Sequence, residues 1–338
     1  MQIADGVYSI AVPMPWNAAI PDGGLTHTWV YLLREESGWL MIDAGLNTEE
    51  GFQAWQRAVQ ELGIPFTGIR WLLATHHHRD HLGLAGKVQA LTGARLIMHE
   101  VDGKALLHFR HLAFRVEAPD QLRAWLRECG MPQEEAAQAQ PPWSAAGRDD
   151  PPQIDVPIRG EGASVGDSGS LRALWTPGHT PGHLCVHDAR RRLFFSGDHI
   201  LPHITPNVGQ HPFSYTSNPL GDYVASLRRV RDLPADLVLP AHESSFANLA
   251  GRVDELLEHH RQRLEEVLEA VRVGPASSYQ VTSRIHWDVG AWEGLNTTTR
   301  IMALFEAQAH IEHLVSEGRL RQHQRDGVAL YQLVESAS

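Results

Sequence analysis

Lysine and cysteine are scarce in this 338-residue chain: Lys87 and Lys104 are the only lysines among 29 basic residues, and Cys129 and Cys185 the only thiols. Acidic residues outnumber basic ones by 40 to 29. The resulting net charge of −11 disfavours non-specific binding to nucleic acid or to an anionic membrane. Two distant cysteines make no disulfide framework, so a reducing compartment is the default. Nor is there an apolar run near the roughly 18 residues that a membrane span needs. Residues Met1 to Ile10 lack the basic region and apolar stretch of a signal peptide, and Val7 to Val12 reads instead as a first strand. These absences lead to the expectation of a cytoplasmic protein.

Histidine, by contrast, is abundant, with 21 copies. Number alone decides nothing, but placement does. His76, His78, Asp80 and His81 crowd into Thr75-His76-His77-His78-Arg79-Asp80-His81, directly after the apolar stretch Ile69 to Ala74. Imidazole and carboxylate are the donors that first-row divalent ions favour. A ligand run at a strand end has a rigid support and an open loop. Three later segments repeat the arrangement. They are Thr176-Pro177-Gly178-His179-Thr180-Pro181-Gly182-His183, Ser196-Gly197-Asp198-His199 and Pro240-Ala241-His242-Glu243. The last two follow the strand-like stretches Arg192 to Phe195 and Asp236 to Leu239.

Taken in order, these four segments resemble the metallo-beta-lactamase-fold hydrolases, especially their glyoxalase II-like branch. The resemblance covers residues 75 to 243. It implies an α/β architecture, a four-layer αββα sandwich with mixed sheets. Two divalent metal ions are implied with it, zinc first, with iron or manganese as alternatives. His76, His78 and His179 would hold one ion; Asp80, His81 and His242 the other; Asp198 would bridge them. His183 matches a histidine that stands behind the ligands. Asp80 and Asp198 would orient a hydroxide bridging the ions, which attacks the acyl carbonyl of an ester or thioester. Two divalent cations offset by two carboxylates and one hydroxide leave positive charge for an anionic transition state. A lactone fits the same chemistry, and so does cleavage of an RNA or DNA phosphodiester by the same site. The short interval from Asp198 to His242 leaves no room for the large inserted domain of the major RNA-processing branch. The basic residues with which glyoxalase II grips glutathione find no match here.

Periodicity places other elements. Strands are expected at His27 to Leu33, Trp39 to Ile42 and Arg95 to Met98, and a helix over Thr48 to Leu62 with Thr48 as its N-cap. Helices are also expected over Leu82 to Leu91 and Asn218 to Leu233. Residues 100 to 150 read as a helical insertion in a catalytic domain of residues 1–250; a lid, an inert surface and a homodimer contact are all open for it. Residues 251–338 read as a C-terminal domain: a long charged helix, helices at Ser277 to Ile285 and Thr297 to Ser316, and a hairpin around Asp326-Gly327. That order suggests a small α+β, winged-helix-like domain. Residues 274 to 338 hold five Arg and no Lys against seven Asp or Glu, and Glu306, Glu312 and Glu317 lie on the helix that would read DNA. Packing, dimerisation or a substrate wall is therefore expected of it, not nucleic acid. The expected partner is a small acyl substrate. His203, His211 and Tyr215, in the loop after Asp198, and Trp16, in an apolar Pro-Met-Pro-Trp stretch, are candidates to touch it.

Overall fold

The computed structural model describes residues 1–14, 25–113, 117–139 and 152–334. Two compact units divide the chain. One comprises Met1–His108, Gly147–Pro206 and Ser226–Val253; the other comprises Phe109–Ala146, Asn207–Ala225 and Asp254–Ser338.

Strands β1 Gln2–Ala4, β2 Val7–Pro13, β3 His27–Arg34 and β4 Trp39–Ile42 precede helix α1 Glu49–Glu61. Then come β5 Ile69–Leu73, the single turn α2 Arg79–Leu82, α3 Ala85–Thr92 and β6 Arg95–His99. Helices α4 Glu100–Ala113, α5 Ala118–Glu128 and α6 Gln133–Ala137 follow. The strands resume with β7 Ile154–Ile158, β8 Gly162–Val165, β9 Leu171–Trp175, β10 Leu184–Asp188 and β11 Leu193–Gly197. Helix α7 Pro219–Val230, β12 Leu237–Pro240 and α8 Leu249–Arg272 lead to β13 Ala276–Ser277, α9 Ser278–Arg284 and α10 Thr297–Ser316. A hairpin of β14 Leu320–Arg325 and β15 Val328–Leu333 closes the described chain.

In the first unit, β1 to β7 form a seven-stranded sheet in sequence order, antiparallel up to β4 and parallel from β4 to β7. A second sheet runs β12-β11-β10-β9-β8, with β11 and β12 parallel. Successive side chains of a strand point to opposite faces, and the apolar runs of the first sheet use both. Leu32, Met41 and Leu72 enter a core with Trp55 and Val59 of α1 and Val88 of α3. Their neighbours Leu33, Leu40, Ile42 and Leu73 enter a second core with Leu171, Leu184, Val186 and Phe195 of the other sheet. Continuous hydrophobicity in β4, and in β5 apart from the exposed Arg70, thus reflects a sheet covered on both sides, as parallel strands require. Strands β10 and β11 are buried at every residue.

Thr48 caps α1, its hydroxyl accepting the Gly51 N–H at 2.9 Å. Trp55 stacks between Phe52 and Phe66 and turns its indole N–H toward the Met41 sulfur at 3.1 Å.

The second unit has its own cores. One joins α5 and α6 to Phe213 and to Leu304 and Phe305 of α10. The other joins α9 and α10 to the three-stranded sheet β13-β15-β14. Ser277 and Gln280 form a reciprocal capping box at α9, and Asn296 caps α10. Helix α10 is buried nearly all round, from Ile301 through Leu314.

Trp55 is fully buried in the helix-side core. Trp55→Ala is expected to lower stability by about 3–5 kcal/mol, read as a fall in the midpoint of urea unfolding; a change below about 1 kcal/mol would contradict this packing.

Candidate metal centre

Every segment singled out by its ligands lies at the C-terminal end of a strand. Thr75–His81 follows β5, Thr176–His183 follows β9, Asp198 follows β11, and Ala241-His242 follows β12. Backbone hydrogen bonds tie these ends together. Leu184 N–H donates to Thr75 O at 2.8 Å, Ala241 N–H to Gly197 O at 3.1 Å, and Ala44 N–H to His81 O at 2.7 Å. The loops are therefore held by the two sheets and by one another.

Three sets of donor atoms converge: His76, His78 and His179; His76, His81 and Asp198; Asp80, His81 and His242. Within each set the atoms lie no more than 4.8 Å apart. Asp198 stands between the first and the last set. Its Oδ2 is 3.9 Å from His76 Nε2, 3.5 Å from His179 Nε2 and 3.4 Å from His81 Nε2. Its Oδ1 is 3.4 Å from His242 Nε2, which is 3.3 Å from Asp80 Oδ2. His78 Nδ1 faces His179 Nε2 at 3.0 Å.

The outward nitrogen of several rings is engaged, which decides where the other lone pair points. Asp43 is the anchor. Its carboxylate accepts from the Thr75 N–H at 2.7 Å, from the Thr75 hydroxyl at 2.9 Å, and from His81 Nδ1 at 2.8 Å. With the Thr75 hydroxyl donating to Asp43, His76 Nδ1 donates to Thr75 Oγ1 at 3.0 Å. His242 Nδ1 donates to the His27 carbonyl at 3.2 Å. Nε2 of His76 is thereby left as a lone pair, and at His81 and His242 it is Nε2 that holds the proton an ion would have to displace. His183 is different: its Nε2 accepts the Asp198 N–H at 3.2 Å and its Nδ1 meets Thr176 Oγ1 at 2.9 Å. Both nitrogens are used, so it holds the Asp198 backbone in place.

Two glycines permit close approaches. Gly197 has φ +52°, and a Cβ there would come within 2.7 Å of His183 Nε2. At Gly182 a Cβ would lie 2.4 Å from the Asp102 backbone nitrogen. Asp102, fully buried, accepts from His77 N–H, Thr180 Oγ1 and Gly182 N–H at 3.0, 2.8 and 2.5 Å.

Charge in the cluster is uneven. Burial, reinforced by neighbouring imidazoles, holds His76 and His78 well below the usual histidine range. Burial and His199 do the same to His183. At His81 and His242 burial acts in the same direction, but the carboxylates win. Asp198, with Asp80 and Asp43, raises His81 well above its usual range, and Asp198 with Asp80 pushes His242 up to about 10. Burial opposes ionisation of Asp80 and Asp198, yet the charges of His81 and His242 hold both carboxyls below the ordinary range. Burial likewise opposes ionisation of Asp102, and His77 with the hydrogen-bond donors holds it at about 2.

The donor set fits metal ions. Nε2 of His76 and of His81 is buried and receives no hydrogen bond. His78 Nδ1 and His179 Nε2 meet at 3.0 Å, and the residues are the nitrogen and oxygen donors that zinc and its neighbours take.

All seven residues proposed as ligands from the sequence, His76, His78, Asp80, His81, His179, Asp198 and His242, thus meet in one place. The candidate substrate contacts are scattered. His203 is exposed, with its backbone N–H on Glu243 Oε2 at 3.1 Å. His211 and Tyr215 belong to the second unit, where the His211 ring lies 5.3 Å from Phe305 and Tyr215 is exposed. Trp16 lies outside the described residues. Neither Asp43, just after β4, nor Asp102, at the start of α4, is marked as an anchor by any spacing in the sequence.

Residues 23–242 match the family described as the metallo-beta-lactamase superfamily. A probable metallo-hydrolase of Bacillus subtilis, YqjP, is 24% identical over 288 residues, covering 83% of this chain and 85% of that protein. A beta-lactamase-like protein 2 homolog of Caenorhabditis elegans is 29% identical over 153 residues, 45% of this chain and 47% of its own. Among solved structures, a metallo-beta-lactamase family protein of Thermus thermophilus superimposes with a TM-score of 0.76 at 30% identity, covering 98% of this chain and 100% of that one. A beta-lactamase domain protein of Burkholderia ambifaria gives 0.75 at 26% identity, with 99% and 94% covered.

Because His81 and His242 carry protons in the metal-free protein near neutral pH, an ion that takes their nitrogens must expel those protons. Calorimetric titration with Zn2+ in buffers of different ionisation enthalpy should show proton release, and affinity should go on rising with pH until His242 loses its proton at about 10. Heats independent of the buffer would contradict the charge distribution.

Proposed function

The chain belongs to the metallo-beta-lactamase superfamily, and on that footing we propose that it is a dinuclear, metal-dependent hydrolase that cleaves an ester or thioester. The superfamily match and the His/Asp cluster make it a metal-binding hydrolase. The observation that supports two ions is the position of Asp198 between the two groups, with Oδ2 near His76 and His179 and also near His81, and Oδ1 toward His242.

In this reading His76, His78 and His179 hold one ion, and Asp80, His81 and His242 the second, with Asp198 shared. When bound, the ions, zinc in the first instance, supply Lewis acidity that lowers the pKa of water and polarises a carbonyl. The chain's own residues supply order. Asp43 fixes the tautomers of His76 and His81 through the Thr75 hydroxyl and directly. His183 accepts the Asp198 N–H and so fixes the backbone that carries this carboxylate. Asp80 and Asp198, held ionised, are the groups that orient the attacking water and accept hydrogen bonds from it.

An acyl substrate suits this site better than a phosphodiester. The segments around the ligands resemble the glyoxalase II-like branch, whose chemistry is acyl transfer to water. The acidic charge of −11 opposes a polyanion. The order α9, α10, β14, β15 supports a winged-helix-like reading of the C-terminal part. Its long helix is buried nearly all round, however, which suits packing and not groove reading. A lactone satisfies the same requirements and belongs in the same assay. No helix among the described residues is long and apolar enough to cross a membrane, and a cytoplasmic, small-molecule role is part of the proposal.

Metal content by mass spectrometry, alongside a panel of small thioesters, esters and lactones, tests this reading. Asp198→Ala should lower kcat/KM by about a hundredfold or more, since even partners outside the ligand set cost 10–100-fold, and should lower bound metal. Full activity in that variant would sink the two-ion reading.

A further inference from the structure

Asp102 belongs to none of the converging donor sets, yet its carboxylate is divided between the two loops that carry His76, His78 and His179. From the third residue of α4, its Oδ2 takes the His77 N–H at 3.0 Å, between His76 and His78 in sequence. The same oxygen takes the Thr180 hydroxyl at 2.8 Å, one residue after His179, and lies 3.0 Å from His77 Nδ1. Oδ1 takes the Gly182 N–H at 2.5 Å. Residues more than twenty apart from it on one side and some eighty on the other are thus fixed by one fully buried group. The approach is as close as the chain allows, since a Cβ on Gly182 would meet Asp102 backbone and side-chain atoms at 2.4–2.8 Å.

Its reach is also selective. Asp43 anchors rings of both ligand groups, His76 through Thr75 and His81 directly. Among the described residues, the hydrogen bonds of Asp102 fall directly beside His76, His78 and His179; Asp80 and His81 lie three and four residues beyond His77 on the first loop, and none goes to the segment of His242. A ligand atom displaced by about 0.5 Å from its productive position already weakens a metal site. Loss of this clamp frees two loops that hold one ion between them.

We propose that Asp102 is a positioning residue that sets the affinity of the His76, His78 and His179 group for its ion, separately from the affinity of the Asp80, His81 and His242 group. The inference rests on the two-ion reading above.

Zn2+ competition between the metal-free protein and a chromophoric chelator resolves the two equivalents. Asp102→Asn keeps the size but turns an amide N–H2 toward at least one donor. It should weaken one equivalent by about 10–100-fold and leave the other unchanged. Thr180→Val, which removes a single hydroxyl donor and keeps the shape, should weaken the same equivalent by less. General loosening of the fold would weaken both equivalents together, and that result overturns the inference, as does unchanged binding in both variants. If Asp102→Asn does not fold, Thr180→Val decides alone: a selective loss supports the clamp and wild-type affinities overturn it. A wild-type protein that takes up fewer than two ions would fail differently, because it removes the two-ion reading and this inference with it.

Discussion

Five imidazoles and two carboxylates in one buried cluster repel, desolvate and compete for protons unless something fixes which atom faces which. An unpaired polar group in such surroundings costs on the order of a few kcal/mol. The rest of the first unit can be understood as the support that this crowding demands. A core between two sheets and a second core under the helices hold the strands firmly enough for their ends to meet. Hydrogen bonds between Leu184 and Thr75, Ala241 and Gly197, and Ala44 and His81 then join the loops directly.

The cluster also divides into two electrostatic halves. Around His76 and His78, burial leaves neutral rings with lone pairs ready to coordinate. Around His81 and His242, the ionised carboxylates keep protons on the imidazoles. The same negative charge that recruits an ion is balanced by protons in its absence, so loading and proton release are one event. Asp198 contacts both halves.

Much of this was legible in the chain. Ligand types at tight spacing after apolar stretches identify the loops, because only a few residue types bind such ions and strands with both faces buried are continuously apolar. Helices such as α1, with its Thr48 cap, and α10, over Thr297–Ser316, are long enough for periodicity to speak. Strands β7, β8 and β9 were not legible: Ile154–Ile158 and Gly162–Val165 are short, half-buried and interrupted by Pro or Gly. The anchors Asp43 and Asp102 were hidden for another reason. A carboxylate in a turn or at a helix start is usually solvated or a cap, and nothing local in sequence says that Thr75, His81 or Gly182 will arrive against it. Assembly of the second unit from three separate segments is equally non-local, since contacts such as Phe213 in the core of Leu304 and Phe305 decide it.

Asp43 adopts φ +60°, a left-handed conformation that most side chains resist and that Gly, Asn and Asp tolerate. Glycine there would keep the backbone and lose every bond to Thr75 and His81. Asparagine would keep the backbone and the size, but its amide would point a donor at a donor. Glutamate would keep the charge on a longer stem, in a conformation it disfavours. Each single exchange satisfies one demand and breaks another, so the position has no neighbouring residue type to drift to. A residue that is not among the converging donors is thereby held to its identity from two sides at once, by its backbone and by its carboxylate.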